Sequence, residues 1–243
     1  MEITKMSREQ LLELSTDSKI ILEKEDLLHI FNVFGDFWSY DYEAAKNGKP
    51  GLHAELKSGK CSDGFFFSKI VLQHSNLRMI IASNMARAYS QVTKFTPSYV
   101  VGIPKGATEL GNDVAKIMGA KTIQLVKNSK GEIKLEGSVE PNEDILLVED
   151  FTTTGSGLKE TVIEFKNRYP LVNIMPIELV ILNRGDIEHI PVDEYGFFDI
   201  LPLVEHRINS WELEKCPLCR AGSERIKPKV TDENWELLIN SQK

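Results

Sequence analysis

The chain has 243 residues, 42% of them apolar and 27% charged, enough for one good core and an accessory piece in an ordinary globular composition. Its net charge of −7 provides no basic stripe and argues against a nucleic-acid surface. No apolar run reaches transmembrane length, the first five residues form no apolar signal core, and three cysteines make no disulfide framework, so a cytoplasmic location is expected.

Residues 1–50 read as helical. Ser7 with Gln10 has the spacing of a capping box before Leu11, Leu12 and Leu14. Leu27, Ile30, Phe31 and Phe34 recur at helical spacing, and Gly35 marks a stop. Phe37, Trp38, Tyr40 and Tyr42 form an aromatic cluster suited to packing, and Asn47-Gly48-Lys49-Pro50-Gly51 is a break. Residues 55–67 then alternate short segments and polar turns, as in a hairpin or small hood. Within them, Phe65 and Phe66 suit either a hairpin core or a flat slot for a planar base. Lys57, in Lys57-Ser58-Gly59, is within reach of a phosphate on the second reading.

From residue 75 onward strands and helices alternate. Ser75 is placed to cap a helix with Leu77, Ile80, Ile81, Met85 and Ala88 on its apolar face. Tyr99-Val100-Val101-Gly102-Ile103 is a buried strand, followed by the tight loop Pro104-Lys105-Gly106-Ala107 and a helix ending at Gly119. Residues 121–126 are the next strand. Residues 127–142 are polar and glycine-containing, with Ile133, Leu135 and Val139 at alternating spacing, and read as a long mobile hairpin or loop. Further strands are expected at 145–148, 174–182 and 197–203. The pattern implies an α/β fold with a central parallel sheet flanked by helices and right-handed crossovers, its ligands lying at the C-terminal strand ends.

The densest chemistry lies in Ile145-Leu146-Leu147-Val148-Glu149-Asp150-Phe151-Thr152-Thr153-Thr154-Gly155-Ser156-Gly157. Four apolar residues end in two carboxylates, and a hydroxyl- and glycine-rich loop leads into a helix. Glu149 and Asp150 are placed to accept from vicinal sugar hydroxyls, while residues 152–157 offer hydroxyls and N–H groups to a phosphate at a helix start. Taken alone, an acidic pair after a strand is a solvated strand end. The whole ordered stretch points to a phosphate site, and without Gly-Lys-Ser/Thr it is not a Walker A loop. Lys105 and Gly106, in a loop after a parallel strand, suit a pyrophosphate. Arg184, in Asn183-Arg184-Gly185 at a strand end, is either a surface residue or a fork for a carboxylate. Cys216-Pro217-Leu218-Cys219 is a single Cys-x-x-Cys. With no second pair and only His206 to add to it, it reads as two reduced thiols in a tail in preference to a zinc site, and no protein-held metal is expected.

The central stretch resembles the phosphoribosyl pyrophosphate motif of the type I phosphoribosyltransferases. Leu56-Lys57-Ser58-Gly59, Phe65-Phe66, Gly102-Ile103-Pro104-Lys105-Gly106, Asn183-Arg184 and a Cys-Pro-Leu-Cys tail seen in some bacterial members narrow the resemblance to the orotate phosphoribosyltransferases, over roughly residues 50–225. The resemblance implies a type I phosphoribosyltransferase fold divided into an N-terminal helical extension or hood at 1–50, a catalytic domain at 51–212 and a tail at 213–243. It implies that Lys57, Lys105, Gly106, Glu149, Asp150, Thr152, Thr153, Thr154, Gly155, Ser156 and Gly157 bind phosphoribosyl pyrophosphate. Phe65, Phe66 and Arg184 would bind orotate, and Lys127, Lys130 and Asp150 would serve catalysis. Mg²⁺ would be held mainly through the substrate, and the enzyme would be a homodimer whose mobile loop crosses to the neighbouring site. That loop departs from the family pattern: Val126-Lys127-Asn128-Ser129-Lys130-Gly131 keeps two lysines but lacks the usual arginine and histidine. The alternatives are transfer to another base, such as a purine, or a regulator that senses phosphoribosyl pyrophosphate without catalysis.

Overall fold

The computed structural model describes residues 2–16, 19–185 and 187–243. The chain forms two compact units, each built from two chain pieces: Met1–Ile30 with Ser68–Arg207, and Phe31–Phe67 with Ile208–Lys243. The three-part division expected at residues 50 and 212 does not coincide with these units. The last part of the chain does not trail as a tail: its strand Glu224–Ile226 pairs in parallel with Leu52–Glu55, and Ser210–Trp211 pairs antiparallel with Cys61–Ser62.

The larger unit is built on a five-stranded sheet ordered His189–Pro191, Phe197–Glu205, Asn173–Asn183, Asp144–Thr152, Tyr99–Gly102. All pairings are parallel except the antiparallel edge strand His189–Pro191. Val100, Val101, Ile145, Leu146, Leu147, Val148, Val180, Ile181 and Leu182 are wholly buried, as unbroken apolar strands flanked by helices require. The helix Ser75–Val92 precedes the first of these strands in sequence, Thr108–Met118 follows Tyr99–Gly102, and Ser156–Arg168 connects Asp144–Thr152 to Asn173–Asn183. Gly119 ends the second helix in the left-handed conformation, as its position predicts. Ser75 is not a cap: His74 precedes the helix and no side chain caps it. The Ser7–Gln10 capping box forms as the spacing predicts.

Two expectations change between residues 121 and 142. The strand at 121–126 does not join the main sheet, apart from one isolated bridge between Lys121 and Tyr99. Instead, Gln124–Lys127 pairs antiparallel with Ile133–Glu136 as a separate hairpin. Nor is this hairpin a free loop, because Ile133, Leu135 and Val139 are buried in the core of the larger unit. The helix Ser156–Arg168 holds its backbone. Glu160 accepts from the Ile133 N–H (2.6 Å), Glu164 accepts from the Leu135 N–H (3.3 Å), Arg168 donates to the Leu135 carbonyl, and Tyr169 donates to the Gly137 carbonyl (2.9 Å).

The smaller unit has its own core of Trp38, Tyr40, Ala54, Cys61, Cys216, Leu218, Trp235 and Leu238. Of the predicted aromatic cluster, Trp38 and Tyr40 belong to it, with Tyr40 edge-on to both Trp38 and the exposed Tyr42. Residues 31–50 are thus only partly helical. Phe37–Ser39 is a strand paired with Gly64–Phe66, and Tyr42–Lys46 is a short helix capped by Asp41.

Candidate active site

In the larger unit the strand Asp144–Thr152 delivers Glu149 and Asp150 where its buried run ends. Two glycine backbones press against them. A Cβ at Gly106 would stand 2.2 Å from Asp150 Oδ2, and one at Gly157 would stand 2.3 Å from Glu149 Oε1. Only a residue without a side chain admits the loop at 104–107 and the start of the helix Ser156–Arg168 to these carboxylates. The turn into that helix runs through Gly155 at φ +67°, and no side chain caps it. A first turn whose N–H groups lack an intrahelical partner, with the positive end of the dipole, is an anion cradle.

Asp150 is buried and already partnered. Ser68 Oγ donates to its Oδ2, and the Phe151 N–H donates to its Oδ1 at 3.0 Å. Burial raises its pKa, while the Ser68 and Phe151 bonds oppose the rise. Burial, and then the charge of Asp150, push Glu149 up to about 7, with Lys127 and Arg184 among the groups opposing that shift. Glu178, on the neighbouring strand, is wholly buried, and its oxygens have no hydrogen bond of good geometry among the described residues. Burial, and then Glu149, raise it well above the ordinary carboxylate range. The end of the strand therefore gathers three carboxyls, Glu149, Asp150 and Glu178, each raised first by burial, where the sequence shows only an adjacent pair.

Arg184 closes the other side of the loop. Its guanidinium lies over the Phe151 ring at 4.2 Å, and its Nη2 donates to Thr153 Oγ1 at 2.9 Å. Burial lowers its pKa to about 10 against the opposing pull of Asp150 and Glu149, so it stays charged at neutral pH. Its Nε is buried without a partner among the described residues.

The sequence-predicted residues divide by location. Lys105, Gly106, Thr153, Thr154, Gly155 and Arg184 lie on the loops that follow the larger unit's strands, Glu149 and Asp150 in the last part of the strand Asp144–Thr152, and Ser156 and Gly157 in the first turn of the helix Ser156–Arg168. Thr153, Thr154 and Ser156 are exposed, as is Lys105. Thr152 differs: it is 2% exposed and its hydroxyl has no partner among the described residues, so it belongs to the strand end rather than to the open loop. Lys127 ends a hairpin strand, and its charge acts on Glu149. Lys130 stands exposed in the hairpin turn, which Asn128 closes by accepting from the Lys130 and Glu132 N–H groups.

Lys57, Phe65 and Phe66 belong to the smaller unit. Lys57 is exposed on the turn between Leu56 and Lys60. Phe65 packs on Trp235 with ring centroids 5.8 Å apart. Phe66 is 2% exposed with its ring 4.5 Å from that of Phe31, the environment of a core aromatic. Ser68 and Glu178 were missed from the sequence. Neither sits in a motif, and each reaches the acidic pair from a distant part of the chain.

A strand ending in paired carboxylates, an uncapped glycine-led helix start and a lysine loop beside them can hold a sugar phosphate by its hydroxyls and its phosphate together. Comparison with known proteins agrees. Residues 68–198 match the phosphoribosyl transferase domain model, more than half of the chain, and the protein belongs to that family. It is an α/β enzyme of the type I phosphoribosyltransferase class. Orotate phosphoribosyltransferase of Caldicellulosiruptor bescii is 29% identical over 178 residues, covering 72% of this chain and 87% of that protein. Orotate phosphoribosyltransferase of Thermoanaerobacter sp. is 28% identical over 214 residues, covering 85% and 97%. Among solved structures, orotate phosphoribosyltransferase from Aeropyrum pernix matches with a TM-score of 0.51 at 15% identity, covering 67% of this chain and 92% of that one, a likeness of fold.

Proposed function

We propose that the protein transfers the 5-phosphoribosyl group of phosphoribosyl pyrophosphate to orotate, giving orotidine 5′-monophosphate and pyrophosphate, in the cytoplasmic synthesis of pyrimidine nucleotides. The observation that carries this reading is the seating of Glu149 and Asp150 against the glycine backbones of Gly157 and Gly106 within a phosphoribosyl transferase domain. Similarity to proteins named orotate phosphoribosyltransferase supports the choice of base. Orotate N1 attacks ribose C1′ as the C1′–O bond to pyrophosphate breaks through an oxocarbenium-like state, and the N1 proton leaves with the pyrophosphate. The protein positions the reactants and balances charge, with no covalent nucleophile.

Glu149 and Asp150 accept from the ribose hydroxyls, and the N–H groups at the start of the helix Ser156–Arg168 hold the 5′-phosphate. Lys105 and the backbone of Gly106 meet the pyrophosphate, and Lys127 and Lys130 on the hairpin offset its developing charge. Arg184 offers the orotate carboxylate a planar cation. The hard oxygen donors at this strand end suit Mg²⁺ rather than a softer metal, but two carboxylates are too few to hold it alone. Substrate oxygens and water would complete its shell, and when bound it would neutralise pyrophosphate charge. We also propose a homodimer, because Lys130 at the exposed hairpin turn is available to a second copy.

Pyrophosphate release from phosphoribosyl pyrophosphate and Mg²⁺ with a panel of bases tests this reading. Orotate should support turnover, with uracil and the purines far behind. Preference for a base without a carboxylate would overturn orotate as the acceptor. Binding of phosphoribosyl pyrophosphate without turnover on any base would point instead to a sensor.

A further inference from the structure

Four potential metal ligands converge in the smaller unit. The Cys216-Pro217-Leu218-Cys219 pair is joined by Cys61 and His53, and all four ligand atoms lie within 4.8 Å of one another. His206 is not among them. Sγ of Cys61 and Cys219 are 3.8 Å apart, too far for a disulfide. His53 Nε2 is 3.5 Å from Cys219 Sγ and 3.7 Å from Cys216 Sγ. A tetrahedral zinc with bonds of about 2.3 Å to sulfur and about 2.0 Å to nitrogen sets its ligands about 3.8 Å apart sulfur to sulfur and about 3.5 Å apart sulfur to nitrogen. These three separations match those edges, and the remaining ligand pairs lie within 4.8 Å.

The surroundings are arranged for a cation. Ser223 Oγ lies 3.1 Å from the Gly51 carbonyl, to which it can donate, and 2.9 Å from His53 Nδ1, from which it can then accept. In that arrangement the ring proton sits on Nδ1 and Nε2, the nitrogen nearer the sulfurs, keeps its lone pair, the orienting role of a partner behind a metal-bound histidine. The Cys219 N–H points at Cys216 Sγ at 3.5 Å, as the turn of a Cys-x-x-Cys ligand pair allows. Cys61 and His53 are wholly buried, as is Cys216.

We propose that His53, Cys61, Cys216 and Cys219 bind one Zn²⁺ as a closed structural site. Three sulfurs and one imidazole at tetrahedral edges favour zinc over the hard oxygen-seeking ions, and four protein ligands leave no position for substrate. Two ligands come from the piece Phe31–Phe67 and two from Ile208–Lys243, so the ion ties together two chain segments separated in sequence by Ser68–Arg207. A unit this small, two of whose ligands Cys61 and Cys216 also sit in its core cluster, is of the size at which a metal commonly supplies what the core lacks. The inference does not rest on the proposed reaction.

Elemental analysis of the full-length protein, purified without an affinity tag that binds metal, should give about one zinc per chain. The double variant Cys216→Ser/Cys219→Ser should lose it. Zinc-free parent protein that binds no added Zn²⁺, or a double variant that retains as much zinc as the parent, would overturn the assignment. If the double variant fails to fold, two further measurements decide. Parent protein loaded with Co²⁺ should show the intense visible and thiolate charge-transfer absorption of a tetrahedral sulfur-rich site, and the weak spectrum of an octahedral ion would refute it. Ser223→Ala, which keeps all four ligands, should weaken Zn²⁺ binding about 10–100-fold against a chromophoric chelator. Unchanged affinity would remove His53 from the ligand set.

Discussion

Gly106 leaves no room for a side chain beside Asp150: a methyl group added there would lie 2.2 Å from Oδ2 and 2.5 Å from the carboxyl carbon. A buried carboxylate held by Ser68 and by its own neighbour's N–H cannot swing aside freely, so the loop would have to retreat. Gly106→Ala should therefore weaken phosphoribosyl pyrophosphate binding by about 1–3 kcal/mol, the range for overpacking a tight site. Titration calorimetry reads the loss directly. Unaltered affinity would mean that the approach of this loop to Asp150 has no part in binding.

Asp150 itself should matter through its charge. Asp150→Asn keeps the shape but replaces a charged acceptor facing the ribose hydroxyls, at about 1.5–3 kcal/mol for a bond of that kind. Ser68→Ala should act in the same direction but less, because it frees the carboxylate without discharging it. Calorimetry on both variants checks the order. A larger effect from Ser68→Ala would show that Ser68, and not the charge, organises the site.

The raised carboxyls give a signed pH dependence. Glu149 is held near 7 and Glu178 well above its ordinary value, burial being the first cause for each. Between the unfolded value near 4.5 and the folded values, the native state keeps protons that the unfolded chain has released. These groups therefore lend stability below about pH 4.5 and withdraw it as pH rises, by about 1.4 kcal/mol per pH unit for each group. Glu178→Gln should flatten the fall in unfolding free energy between pH 5.5 and pH 8. Denaturant unfolding at the two values measures it, and equal slopes for parent and variant would refute the burial argument. Binding runs the other way: Glu149 becomes a better acceptor for ribose hydroxyls as it ionises through about pH 7, so the affinity for phosphoribosyl pyrophosphate should rise with pH more in the parent than in Glu149→Gln.

The parts of the fold that could be read from the chain are those in which one local run carries the whole signal. Ile145 to Val148 are apolar without interruption because both faces of their strand are covered, and the acidic pair follows at once. Gly119 and the Ser7–Gln10 box are likewise local. What stayed hidden depends on pairing. His53 and Cys61 meet Cys216 and Cys219 through three strand pairings, with Glu55 opposite Cys61, Trp211 opposite Cys61 and Arg225 opposite His53. Ser68 reaches Asp150 across 82 positions. The hairpin at 124–136 looked mobile because its charged residues outnumber its apolar ones, yet Ile133 and Leu135 alternate with Lys134 and Glu136 as a half-buried strand must. Spacing alone does not say which surface such a strand covers.

Lys127 and Lys130 should separate in their effects. Lys127 acts on Glu149, whereas Lys130 stands in an exposed turn closed by Asn128. Lys127→Ala should lower kcat and raise the pKa governing the pH profile, because a charge opposing the upward shift of Glu149 is gone. Lys130→Ala should lower kcat with that pKa unmoved. Rate profiles over pH 6–9, with chemistry shown to be rate-limiting, distinguish them, and identical profiles for the two variants would contradict the placement of Lys127.

Arg184 carries the most consequential prediction because its geometry joins two roles. Stacked on Phe151 and bonded to Thr153, it is braced against the phosphate loop, and its fork still has a buried Nε without a partner among the described residues. Orotate differs from uracil by a carboxylate, which a charged planar donor meets in a way lysine does not. Arg184→Ala should reduce kcat/KM for orotate by about 2–4 kcal/mol, the cost of losing a buried charged partner. The brace to Thr153 means that phosphoribosyl pyrophosphate binding should also weaken, by about the worth of one hydrogen bond to a charged group, 1.5–3 kcal/mol. Thr153→Val removes the brace while leaving the guanidinium in place, so it should reproduce the second loss without the first. Steady-state kinetics with orotate and uracil, alongside calorimetry with phosphoribosyl pyrophosphate, resolve the two contributions. If Arg184→Ala weakens phosphoribosyl pyrophosphate binding but leaves the preference for orotate over uracil intact, Arg184 is a brace for the loop, and the carboxylate must be recognised by other groups.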